Sequence, residues 1–157
     1  MNPIAKRTRI KICGITRIED AIGAAGLGVD AIGFVFYPKS SRFISPAVAL
    51  RISQALPAFV TTVGLFLDAS ADEINQITRQ VRLDLLQFHG DEDAGFCQSF
   101  QMPFIKAVPM RVGADVMSYA KQFHAAKALL LDSHGGGVIG GTGERFDWNK
   151  IPQQINK

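Results

Sequence analysis

The sequence predicts an α/β fold with a parallel sheet, and three observations carry that prediction. Short β-branched apolar runs alternate with amphipathic stretches at a spacing of about 25 residues, as βα units do. Several runs are apolar almost throughout, which suits parallel strands covered on both faces. Helix-start signals follow the second and third runs: Ser45-Pro46, and Ser70 with Asp72 and Glu73 in the first turn.

The first run spans 9–15 and holds Lys11, Ile12, Cys13 and Gly14; Thr16 is placed as the cap of the next helix, with Glu19 as its capping-box partner. The second spans 31–36, Ala31-Ile32-Gly33-Phe34-Val35-Phe36. A loop over 37–44 leads to Ser45 as cap and Pro46 at the first helical position, with the helix over 47–56 and Pro57 ending it. The third run, 61–67, precedes a helix whose Ile74, Ile77 and Val81 fall at helical spacing. The fourth, 85–90, precedes a short helix over 91–100, and the fifth, 104–110, one over 114–123. After the sixth, 128–133, a glycine-rich loop over 135–143 leads into Phe146-Asp147-Trp148, where a last helix is expected to start.

Six βα units in one domain over 1–157, with no linker or low-complexity segment, fit two architectures. An open doubly wound sheet is complete at this length, whereas a (β/α)8 barrel is two units short, since ~250 residues is typical and ~200 near the minimum. Periodicity leaves both open.

Composition narrows the function classes. With 47% hydrophobic and 20% charged residues the chain has the apolar content to order itself, which excludes a disordered tail. Two cysteines exclude a disulfide-dense secreted scaffold and point to a reducing, cytoplasmic setting. No apolar run approaches the ~20 residues of a membrane span. The basic start, Lys6-Arg7-Thr8-Arg9, has no apolar stretch behind it, so no secretory signal and no membrane partner are expected. The net charge of +3, from 17 basic and 14 acidic residues, is spread out; without a basic stripe no nucleic-acid partner is expected, and a small anionic substrate suits the balance.

Polar residues recur at the carboxyl ends of the runs, the edge where ligands bind in both architectures: Cys13, Asp68, Gln87 with His89, and Asp132. Each has a plain structural reading. A strand-end cysteine is commonly a small buried hydrophobe, a strand-end aspartate a helix cap, and a histidine before glycine a turn residue. The catalytic reading starts from Cys13, since a helix beginning nearby favours the thiolate, the form that acts as base. Asp132 ends an apolar strand, where partial burial keeps a proton available to donate. Such a pair suits proton transfer between neighbouring carbons of a sugar. Arg42, in the loop after the second run, offers a bidentate fork for a carboxylate. The glycines of 135–143 suit a lid or a nest of backbone N–H groups for phosphate, but no Lys-Ser or Lys-Thr follows, so a nucleotide triphosphate loop is not expected. His89, Cys97 and His124 lack zinc-like spacing, no metal is expected, and His124 is placed on the surface of a helix.

Five stretches together resemble the phosphoribosylanthranilate isomerase family of tryptophan biosynthesis. They are Lys11-Ile12-Cys13-Gly14-Ile15-Thr16; Gly33-Phe34-Val35-Phe36 running on to Ser41-Arg42-Phe43-Ile44-Ser45-Pro46; Gln87-Phe88-His89-Gly90; Leu131-Asp132-Ser133; and Gly140-Gly141-Thr142-Gly143 with Phe146-Asp147-Trp148. They keep the family's order and cover essentially the whole chain. The resemblance implies a (β/α)8 TIM barrel and a cofactor-free Amadori rearrangement of N-(5-phosphoribosyl)anthranilate to 1-(2-carboxyphenylamino)-1-deoxyribulose 5-phosphate. It implies Asp132 as general acid at the ribose ring oxygen and Cys13, as thiolate, as general base at C2′. Arg42 is implied as the holder of the anthranilate carboxylate, Gln87 and His89 as residues lining the site, and Gly140, Gly141, Thr142 and Gly143 as a phosphate-binding loop.

The family pattern continues with two further strands, so only the first six βα units are expected in this sequence. Six strands do not close a barrel of eight, so an incomplete record, unpaired edges on the first and sixth strands, and apolar surface open to water are expected. The alternatives are another phosphate-sugar barrel enzyme with the same rim, or an inactive or complementation-dependent barrel fragment that binds phosphorylated ligands. A fused indoleglycerol-phosphate synthase is not expected. The sequence leaves the oligomeric state open.

Overall fold

The structure, a computed structural model, describes residues 7–133 and 145–152. Two compact units divide the chain, Met1–Leu65 with Ala71–Asp84, and Phe66–Ser70 with Leu85–Lys157.

The first unit runs β1 (Lys11–Cys13), α1 (Ile18–Gly26), β2 (Ala31–Val35), α2 (Pro46–Ala55), β3 (Thr61–Phe66, its last residue in the second unit) and α3 (Ala71–Gln80). Its strands are parallel and neighbour one another in chain order, with Cys13 beside Gly33 and Gly33 beside Val63. Ile32, Phe34, Ala49, Ile52, Ile74 and Val81 are fully buried and form the layer between strands and helices. The alternation of a strand then sends Lys11, Cys13 and Gly33 to the other, inner face.

The second unit runs β4 (Leu85–Phe88), α4 (Ala94–Ser99), β5 (Phe104–Pro109), α5 (Val116–Gln122) and β6 (Ala128–Asp132), again parallel and in chain order. Phe88 packs against the rings of Phe96, Phe100 and Phe104 at 5.7–6.1 Å between centroids, which marks its face as the helix side. Leu129 and Leu131 pack with Val108, Met110 and Val116 on the same side. Gln87, His89 and Asp132 have the opposite parity and stand on the inner face. In neither unit does the strand order reverse, as a doubly wound sheet requires at its switch point.

Among the described residues β1 pairs only with β2, and β6 only with β5. Ile12 on β1 is 39% exposed and Ile22 on α1 42%. No helix among the described residues is long and apolar enough to cross a membrane.

Several local expectations hold. Ser45 caps α2, its Oγ accepting from Val48 N at 3.4 Å, with Pro46 opening the helix. Others are corrected. Thr16 does not cap α1: the chain stays extended through Arg17, the capping position, so Thr16 lies too far out to reach the first turn. Glu19 faces Arg17 at 3.5 Å instead of closing a capping box. The helix expected over 91–100 shortens to α4 because Glu92 is engaged elsewhere and Asp93 supplies the cap, accepting from Phe96 N at 2.8 Å. The helix expected from 146–148 is, within the described residues, one 3-10 turn over Trp148–Lys150 capped by Asp147. His124 is exposed, in the turn after α5 rather than in the helix.

Candidate active site

In the first unit, Cys13 ends β1 and Gly14 turns the chain at φ +85, a left-handed conformation that glycine adopts without cost. Its N–H donates to Gly33 O at 2.9 Å. A side chain at Gly14 would also meet Arg42, whose Cδ would lie 2.6 Å from an added Cβ. That space lets the Arg42 stem cross the turn, and Nη1 donates to the Cys13 carbonyl oxygen at 3.3 Å. The loop is held for this: Arg42 N donates to Ser40 Oγ at 3.1 Å and Ile44 N to Val35 O at 3.0 Å. Cys13 and Arg42, 29 residues apart, thus meet through the Cys13 main-chain oxygen.

Gly33 provides the second space. A Cβ there would lie 2.9 Å from Cys13 Sγ and 3.2 Å from Lys11 Nζ, so thiol and ammonium gather over the same glycine. Lys11 was not among the sequence candidates, although its spacing of two from Cys13 on a strand carries the signal. The helix end invoked beside Cys13 is not adjacent to it, because α1 starts only at Ile18.

In the second unit, Gln87, His89 and Asp132 form a line. Gln87 Nε2 stands 3.0 Å from His89 Nδ1, and His89 Nε2 stands 3.1 Å from Asp132 Oδ2. Gln87 and His89 are buried, whereas the Asp132 side chain keeps 26% of its surface open. Asp68 takes its structural reading, though not as a helix cap: it has a left-handed backbone, φ 49, and Oδ1 accepts from Asp91 N at 2.6 Å. A Cβ at Gly90 would run into the Asp68 carboxylate, with Cγ at 2.5 Å, so a larger residue there would displace Asp68.

On the helix side of β5, Lys106 pairs with Glu92 at 2.9 Å, both side chains buried, and also donates to Gly90 O. Glu92 in turn accepts from Asp68 N at 2.9 Å and Gly90 N at 3.0 Å, tying the turns after β3 and β4 to β5. A lysine inside the apolar run over 104–110 was the available signal, because a buried ammonium demands a partner.

The thiols differ in setting. Cys97 is fully buried, and burial pushes it up to about 12, leaving an inert thiol, while Cys13 is half-buried. Burial likewise raises Tyr119. Arg7 and then Arg9 hold Asp30 well below the usual carboxylate range. Gly140, Gly141, Thr142 and Gly143 lie outside the described residues.

Comparison with known proteins gives a consistent picture. The model of the family described as N-(5′-phosphoribosyl)anthranilate (PRA) isomerase matches residues 10–157. An N-(5′-phosphoribosyl)anthranilate isomerase of Pseudomonas putida is 54% identical over 149 residues, 95% of this chain and 72% of that protein. The crystal structure of the phosphoribosyl anthranilate isomerase from Thermotoga maritima has a TM-score of 0.79 and 41% identity, covering 92% of this chain and 70% of its own. A further phosphoribosyl anthranilate isomerase structure, in complex with reduced 1-(o-carboxyphenylamino)-1-deoxyribulose 5-phosphate, has a TM-score of 0.70 and 40% identity, covering 80% of this chain and 65% of its own.

Proposed function

The chain belongs to the N-(5′-phosphoribosyl)anthranilate isomerase family, and from that premise we propose that Asp132 and Cys13 divide the proton transfers of the isomerisation between them. The fold is a TIM-barrel-like α/β fold, and the reaction is the isomerisation of N-(5′-phosphoribosyl)anthranilate in tryptophan biosynthesis. In its finer form the architectural proposal is a single (β/α)8 barrel domain over 1–157, of which this sequence supplies the first six βα units. A cytoplasmic location goes with it, on the strength of two unbridged thiols.

Asp132 gives its proton to the ribose ring oxygen; the C1′–O bond breaks toward that oxygen, and the anthranilate nitrogen closes a protonated Schiff base. Cys13, as thiolate, takes the proton from C2′, and the released electron pair neutralises the Schiff base to an enolamine. Tautomerisation to the ketone completes the rearrangement. Arg42 holds the anthranilate carboxylate with its planar fork. Gly140, Gly141, Thr142 and Gly143 are proposed for the phosphate. No cofactor enters the scheme. Both proton transfers use groups ending a strand, the part of a barrel where catalytic groups cluster.

The single observation that carries this reading is the Arg42 guanidinium drawn onto the Cys13 carbonyl across Gly14. That contact supports a common site for the proposed base and the proposed carboxylate holder. The test follows the loss of the substrate's anthranilate-type fluorescence with the chain, with Cys13→Ala and with Asp132→Asn. Each substitution is expected to lower turnover by about 10²-fold or more, the scale of positioned acid–base catalysis. Undiminished turnover in Cys13→Ala removes it as the base, and no turnover by the chain itself overturns the activity.

A further inference from the structure

The line on the inner face of the second unit contains more than an acid needs. An amide nitrogen only donates, so with Gln87 Nε2 at 3.0 Å from His89 Nδ1 the ring nitrogen accepts and carries no proton. Nε2, 3.1 Å from Asp132 Oδ2, is then the ring nitrogen left to carry a hydrogen and donate it to the carboxyl group. Both hydrogen bonds point the same way, from Gln87 through His89 to the carboxyl group.

We infer that Gln87 and His89 are positioning residues for the acid: the amide fixes the imidazole tautomer, and the imidazole holds Asp132 by Oδ2. The inference rests on the acid role proposed above for Asp132 and gives Gln87 and His89 a part that lining a pocket does not. With Oδ2 engaged as acceptor, the proton to be transferred belongs on Oδ1. When it leaves for the ribose ring oxygen, the Oδ1–H bond breaks and negative charge spreads over the carboxylate. The Nε2–H donor is already in place to stabilise that charge, so nothing has to reorganise at the moment of transfer. His89 neither gains nor loses a proton in this step.

Three further features fit. Gln87 is 1% exposed and His89 7%, so their polar atoms are committed to protein partners rather than displayed to a ligand. The contact joins β4 to β6 across β5, roughly 10 Å at ordinary strand spacing, a distance suited to the long reach of an imidazole. Ala107 on β5, one residue beyond the Phe88–Lys106 pair and beside Leu130, puts only a methyl group in its path. Second-sphere hydrogen bonds to a histidine commonly set its tautomer and ring orientation in this way.

The experiment combines steady-state turnover with nitrogen and carbon NMR of the histidine rings. The sequence has three histidines, and the spectrum of His89→Leu identifies the His89 signal by its loss. In the unmodified chain the signal is expected to be that of the neutral Nε2–H tautomer. His89→Leu is expected to lower kcat at least about tenfold with KM nearly unchanged, the pattern of an interaction made in the transition state. His89→Gln, whose amide nitrogen replaces Nε2 as donor, is expected to recover most of that loss. Gln87→Glu, equal in size, is expected to move the proton onto Nδ1 and to lower kcat as well. If His89→Leu does not fold, the Gln87→Glu comparison decides alone.

An Nδ1–H or imidazolium signal in the unmodified chain overturns the inference. So does a tautomer moved by Gln87→Glu with kcat within twofold of the original. A His89→Leu chain at full kcat, alongside an inactive Asp132→Asn, overturns the positioning role while sparing the acid. Full turnover in Asp132→Asn overturns the acid role itself.

Discussion

In the first unit Lys11, Cys13 and Arg42 gather because two side chains are missing; in the second, Asp132 and His89 come together because buried polar groups answer one another. Gly14 and Gly33 leave the spaces that the Arg42 stem, the Cys13 thiol and the Lys11 ammonium fill. By contrast, Gln87, His89, Glu92 and Lys106 are all buried in the second unit, each within hydrogen-bonding distance of another polar group. No buried side-chain nitrogen or oxygen among the described residues lacks a partner. The difference teaches where each half is fragile. A site made by vacancy fails when a methyl group is added, and a site made by pairing fails when one partner is taken away.

The largest effect is expected on the paired side. Lys106→Met leaves Glu92 buried and uncompensated, and urea denaturation is expected to show a loss of about 3–5 kcal/mol. Adding Glu92→Gln is expected to return part of it, but not all, because Glu92 also accepts from Asp68 N and Gly90 N. Equal stability of the single and double variants would break the account of the second unit.

Next comes the vacancy side. Gly14→Ala forces a β-carbon into a left-handed conformation at a cost of about 1–2 kcal/mol and pushes the Arg42 stem aside. Substrate KM is expected to rise more than kcat falls, since binding through Arg42 is what is displaced. A KM that stays put would show that Arg42 does not hold the substrate.

A smaller effect separates the two thiols. Native Cys97 stays protonated up to about 12, whereas in the unfolded chain it ionises above roughly 8.5. The unfolded state therefore binds fewer protons between those values, and this group's contribution to stability is expected to fall as pH rises through them. At neutral pH a thiol reagent is expected to modify Cys13 at once and Cys97 only as the chain unfolds. Equal rates would sink the contrast.

The smallest effect tests the glycine logic at a position without a partner. Phe59 is fully exposed with φ 72, a left-handed aromatic residue in the first unit. Phe59→Gly is expected to stabilise by less than about 1 kcal/mol, relief of backbone strain being partly offset by a freer unfolded chain. The left-handed Asp68 of the second unit gains a hydrogen bond from its turn to Asp91 N, so Asp68→Gly is expected to destabilise in the same thermal melts.

Six strand runs, five of the helices, the Ser45–Pro46 helix start and the strand-end positions of Cys13 and Asp132 were legible in sequence, because each depends on a few neighbouring residues. The failures were local signals overruled from a distance. Thr16 and Glu19 have the capping-box spacing, yet the extended chain at Arg17 delays the helix. Residues 91–93 have helix-start composition, yet Glu92 is claimed by Lys106 and by the turn after β3. Lys106 lies inside the apolar run over 104–110, and its pairing with Glu92 joins residues 14 positions apart.

By itself the sequence determined the βα repeat and which residues end each strand, since hydrophobic period and turn chemistry act over a handful of positions. Only the tertiary structure decided what those strand ends touch. The order Gln87, His89, Asp132 and the crossing of Arg42 over Gly14 join residues up to 43 positions apart. Their physical cause is that parallel strands set side by side bring distant positions to one level, where hydrogen-bond geometry and the absence of a β-carbon select the partners.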